Sequence, residues 1–130
     1  MLEYSNGTRH AQNEGLITYA GIGCVFNLYS GIQPANANTA ITTQVLLVSM
    51  PIAGVFGTDV NGTLTLGAVS PSNAGSSGTA SFFRIIKVGS DVVMDGSVGL
   101  SAADLILNSV DIVSGQQVSI TSGIIIRNNQ

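Results

Sequence analysis

Residues 79–94 read TASFFRIIKVGSDVVM. Thr79 to Val88 concentrates aromatic and β-branched residues, which pack well on a pleated surface and predict a strand. Gly89-Ser90-Asp91 then supplies turn formers, and Val92 to Met94 resumes the apolar run, so the segment predicts a β-hairpin. The same grammar extends in both directions. Toward the N-terminus, Cys24 to Tyr29 (CVFNLY) predicts a strand ended by Ser30-Gly31-Ile32-Gln33-Pro34, and a polar loop runs on to Thr43. Val45 to Met50 (VLLVSM) is a strand stopped by Pro51, and Gly62 to Val69 is another, entered through an Asn61-Gly62 turn. Ser70 to Gly78 is rich in Ser and Gly and reads as a flexible connection. Toward the C-terminus, Asp95-Gly96 reads as a turn, Leu105 to Leu107 and Val110 to Val113 as short strands, and Gln117 to Ile126 as the last strand.

Only residues 1–20 break the pattern. Thr8 to Glu14 holds little that favours a strand, and Ser5 or Asn6 is a suitable N-cap, so a helix or arm is predicted over Ser5 to Ala20. About seven or eight short strands with no helices alternating between them predict an all-β chain rather than an α/β design. The expected architecture is a β-sandwich or jelly-roll-like single domain over 21–130, behind an N-terminal helical segment or arm over 1–20. No fixed period recurs, which argues against a solenoid.

The charge content is the first functional clue. Only 8% of the 130 residues are charged, against about 25% in an average globular protein. No charge occurs between Glu14 and Asp59, and none between Asp59 and Arg84. Much of the exterior must therefore be neutral, which suits either a membrane or a protein partner. The most apolar stretch, Leu16 to Tyr29, is shorter than the run of about 20 residues that spans a bilayer, and Gly21, Gly23 and Asn27 interrupt it. No membrane association is expected. No secretory signal is supported, so synthesis in the cytoplasm is expected. Cys24 is the sole cysteine and excludes an internal disulfide. With a net charge of −3 and only Arg9, Arg84, Lys87 and Arg127 as bases, the chain lacks the cluster of cations that phosphate binding needs, and no nucleic-acid partner is expected.

Chemistry-bearing residues are sparse. His10 and Cys24 are each alone of their type, so a metal cage or nucleophile pair would require both to converge; a helix-face His and a buried strand Cys are the expectation. Gly96-Ser97-Val98-Gly99 has the wrong spacing for a nucleophile elbow. Asp91 and Asp95 are the nearest carboxylate pair, but each lies in a predicted turn, where Asp is common because it bonds nearby amides. Ser101-Ala102-Ala103-Asp104 has the loose form of a capping box and predicts a tight bend. No catalytic residue, cofactor site or metal site is expected, and an enzyme is not.

Residues 78–122, GTASFFRIIKVGSDVVMDGSVGLSAADLILNSVDIVSGQQVSITS, resemble a family of small structural proteins of tailed bacteriophages. Four features carry the likeness in order: the G-T-A-aromatic-F-R-like strand, the V-M-D-G-x-V-G turn, the A-D-L-x-L-N-S motif and the closing V-x-G-x-x-V-S-I-T-S strand. Tyr29 to Pro34 with its Ala/Asn/Thr loop and Gly7-Thr8-Arg9 are similar to the family's first half. Ala102 departs from it, standing where relatives tend to have Gly. The resemblance implies a place in the virion and supplies no catalytic residues.

Together these readings lead first to a capsid decoration, or cement, protein on the phage head that bridges neighbouring capsid subunits through charge-poor interfaces. Its expected partners are the major capsid protein and copies of itself, in a homo-oligomer. Ile124, Ile125 and Ile126 are interface candidates as an edge strand, with filling of the domain's own core as the alternative, and Val25 and Phe26 are further candidates. A tail or baseplate component is the second reading. A carbohydrate-binding module of a fibre is the third, weakened by the absence of Trp and the presence of only three Tyr.

Overall fold

The computed structural model describes residues 2–107 and 109–120, together with the backbone of residues 124–126. A single helix, α1 (Asn6–Ala20), opens the chain. Ser5 sits in extended backbone before it, and its hydroxyl accepts the Thr8 N–H at 3.1 Å, satisfying a donor that the first turn leaves free. Gly21 ends the helix at φ 67°, a left-handed conformation that favours glycine, and returns its N–H to the Ile17 carbonyl.

Strands follow. The first group is β1 (Val25–Ser30), β2 (Val45–Pro51), β3 (Gly57–Val60), β4 (Thr63–Leu66), β5 (Ser72–Asn73) and β6 (Gly78–Thr79). The second is β7 (Phe82–Ile86), β8 (Val92–Gly99), β9 (Leu105–Ile106), β10 (Asp111–Ile112), β11 (Gln117–Val118) and β12 (Ile124–Ile126). Five of them form the main sheet in the order β2-β1-β7-β8-β9, antiparallel except for the β8–β9 pair. A second sheet runs β12-β4-β3, and β10-β6 and β11-β5 make two small ribbons. The sheets are open, and the described chain is mostly β with one helix.

Side-chain alternation places the core. Phe26 and Leu28 face one side of β1, opposite Met50 and Val48 on β2 and Ile85 and Phe83 on β7. All six are buried, and the Phe26 ring stacks on Phe83 with centroids 4.7 Å apart. Leu64 of β4, Ile112 of β10 and Val118 of β11 join the same cluster, so the shorter strands cover this face of the main sheet. Asn27 and Tyr29 point to the opposite face, beside Arg84 and Phe82. There Tyr29 stacks on Phe82, with centroids 5.1 Å apart.

Several expectations need correction. Asp95-Gly96 lies inside β8, not in a turn. Gly96 stands opposite Phe83, and a Cβ there would collide with that ring, so the glycine makes room for a cross-strand aromatic. The stretch expected as one last strand is divided: β11 pairs with β5 and β12 with β4. The Ser/Gly-rich stretch is not free of structure, because β5 and the start of β6 fall in it. The sequence reading also missed β3, which joins β4 through Asn61 (φ 52°) and Gly62 (φ 89°), the two left-handed residues of a tight hairpin turn. Among the described residues no helix is long and apolar enough to cross a membrane.

Candidate functional site

Exposed apolar side chains gather where α1 passes into β1. Gly21 and Gly23 both have positive φ, and the turn they make holds Ile22 outward, 70% exposed. Ile22 bridges Val55 across an isolated antiparallel contact. A Cβ on Gly23 would come within 2.8 Å of a Val88 methyl, so this glycine lets the loop after β7 close on the turn. Tyr19, Val55 and Val88 are themselves exposed, and the Lys87 ammonium lies 4.1 Å from the Tyr19 ring centroid. The result is a mainly apolar patch built from three separate parts of the sequence.

The residues proposed from sequence fall differently. Phe26 is 1% exposed and stacked in the core, because even-numbered positions of β1 face inward; as a surface candidate it is corrected. Val25 is half-buried between Pro51 and Ile86. Ile124, Ile125 and Ile126 pair through their backbone with Thr65, Leu64 and Thr63 of the same chain, at the edge of the second sheet. Their side chains lie outside the described residues.

A polar cluster that the sequence did not reveal joins α1 to the β3–β4 hairpin. His10 Nδ1 bonds Asp59 Oδ2, Asn13 Nδ2 donates to Asp59 Oδ1 at 2.5 Å, and the Gly62 N–H donates to Oδ2 at 3.3 Å. The Asp59 side chain has no exposed surface, and Asn13 is equally buried. The hydrogen bond to Asp59 holds the His10 imidazolium against deprotonation and raises its pKa; the charges of Asp59 and Glu14 act in the same direction, and partial desolvation opposes them. Burial pushes the Asp59 carboxyl up, but the bonds from Asn13, His10 and Gly62 outweigh it and leave the carboxyl below the usual range. Asn6, Gly7, His10, Asp59, Val60 and Asn61 line a shallow hollow of about 410 Å³ beside the pair. Asp59 was the only acid in a long charge-free run and stands just before an Asn-Gly turn, which is the one signal that singles it out in the sequence.

The remaining candidates make local contacts within the fold. Arg84 and Asp95 face each other across β7 and β8 and form a two-pronged ion pair, Nε to Oδ1 at 2.6 Å and Nη2 to Oδ2 at 2.8 Å. Asp91 is exposed at the hairpin end, where its carbonyl accepts the Lys87 N–H. Asp104 accepts both the N–H and the hydroxyl of Ser97, closing the bend in which Ala102 takes φ 52°. Cys24 is buried at the other end of α1 from His10, its thiol donating to the Ala20 carbonyl, and burial pushes that thiol's pKa up. Among the described residues no three His, Cys, Asp or Glu side chains are grouped to hold a metal ion. Compared with protein-family models, curated proteins and solved structures, the chain matches none.

Proposed function

We propose that this chain is a structural protein of a tailed-phage particle, a capsid decoration or cement protein that bridges neighbouring capsid subunits and copies of itself. The observation that carries this reading is the exposed patch of Tyr19, Ile22, Val55 and Val88 on a chain with only 8% charged residues. Covering such side chains with a partner gains at most about 1.5–3 kcal/mol each, and less for Tyr19 and Val55, which are already half-covered. A repeated lattice then adds many such contacts through effective concentration. The likeness of residues 78–122 to small tailed-phage proteins supports a place in the virion, at the head surface after assembly in the host cytoplasm. The way the shorter strands cover one face of the main sheet favours a β-sandwich or jelly-roll-like domain.

Incorporation into particles tests the reading. Ile22→Asp, Val55→Asp and Val88→Asp should each leave the fold intact, because all three side chains are exposed, yet reduce the amount of the protein in purified particles. Unchanged incorporation of all three variants would remove the patch from the interface. Absence of the wild-type chain from particles would remove the function itself.

A further inference from the structure

The two halves of α1 are held by different forces. Residues 6–15 contribute no buried apolar side chain; Asn13 is their one buried residue, and it bonds Asp59. The apolar anchors Leu16, Ile17 and Ala20 all lie in the following turns. Its described polar contacts with the hairpin are those of His10 and Asn13 with Asp59, beside the packing of the Arg9 side chain on Gly62. Hydrophobic burial is indifferent to protons, whereas a contact of this kind depends on the charges its members carry.

We propose that the N-terminal half of α1 is a proton-governed arm, latched to the β3–β4 hairpin by His10, Asn13 and Asp59 and loosened when His10 loses its charge. The charged groups around the latch are few. Arg9 lies against Gly62 and bonds Asn6, Glu14 stands one turn beyond His10, Glu3 precedes the helix, and Asp59 is the one charged residue of the hairpin. Arg9, although packed on Gly62, makes no hydrogen bond to Asp59 among the described contacts.

The sign of the dependence follows from which form each contact favours. Docking raises the His10 pKa from its ordinary value near 6.5, so the contribution of His10 is fully present below about that pH. It is lost as pH rises through the docked value. Docking lowers the Asp59 pKa, so its contribution is present above about 3.9 and lost as pH falls through the docked value. The arm is held most firmly in the mildly acidic range between them and loosens on the alkaline side. Leu16, Ile17 and Ala20 keep the second half of the helix in place throughout.

Nuclear magnetic resonance on the full chain reads this directly, since His10 is the only histidine and its ring titration is unambiguous. Amide exchange protection factors for residues 10–14 are compared with those of β1 and β7 from about pH 6 to 8. The expected result is a fall in protection confined to residues 10–14, tracking the His10 titration and lost in His10→Gln. That variant should fold, because His10 is half exposed and outside the core. Asp59→Asn should also abolish the dependence and bring the His10 titration of the folded chain down; if that variant fails to fold, His10→Gln decides alone. Protection that stays flat in the wild type, that falls equally in the sheet, or that still falls in His10→Gln overturns the proposal.

Discussion

Gly96 and Phe83 show how one side chain's absence sets a strand. The ring of Phe83 lies over Gly96 in the facing strand, and any Cβ at that position meets the ring atoms. Gly96→Ala should force the ring to move and cost about 1–3 kcal/mol, the range for overpacked cores, measured by urea unfolding. One position away, Arg84 and Asp95 are both buried and fully engaged with each other, and the hydrogen bonds to Asp95 raise the Arg84 pKa further. Asp95→Ala leaves a buried guanidinium without its partner and should cost about 3–5 kcal/mol in the same measurement. Replacing both residues by apolar ones should cost far less than the single change, because the charge left uncompensated is what destabilises. Cys24 offers a simpler readout. Buried, with its thiol pKa pushed up, it should react with a thiol reagent only as fast as the chain opens, and rapid labelling under native conditions would contradict its placement.

At the scale of elements, α1 depends on its cap. Ser5→Ala removes the acceptor of the Thr8 N–H and should cost about 1 kcal/mol, read as a drop in thermal midpoint. This helix was legible in the sequence because its signals are local: a capping Ser or Asn and, over Thr8 to Glu14, a stretch without strand formers. The runs of β1, β2 and β7 were legible for the same reason, since each is a short block of β-branched and aromatic residues bounded by turn formers. Asp95-Gly96 misled because Asp-Gly is a common turn dipeptide, whereas this glycine makes room for Phe83 in the facing strand, which is a fact of register. The strand β3, reading GTDV, escaped because two of its four residues favour loops; its turn, Asn61-Gly62, was visible while the strand leading into it was not. The division of residues 117–126 between two different partner strands likewise follows from tertiary pairing. The His10–Asp59 contact joins positions 49 apart, and nothing in the spacing of a lone His and a lone Asp announces it.

For the molecule as a whole, the deficit of charge is the property that asks for an explanation. The interior is conventionally apolar, and three of the few charged side chains, Arg84, Asp95 and Asp59, are committed to internal pairs. Little charge is left for the exterior, where Ile22, Val88 and Ile32 stand exposed. An interface made from such a surface has few charges for salt to screen, so moderate NaCl should not release the protein from particles, and release by salt alone would argue for ion pairing instead. The measurement that bears most directly on the role is a cryo-electron microscopy density map of purified particles. It should show this chain at the head surface with Tyr19, Ile22, Val55 and Val88 against a neighbouring subunit; a map with the chain absent, or with that patch facing solvent, would contradict it.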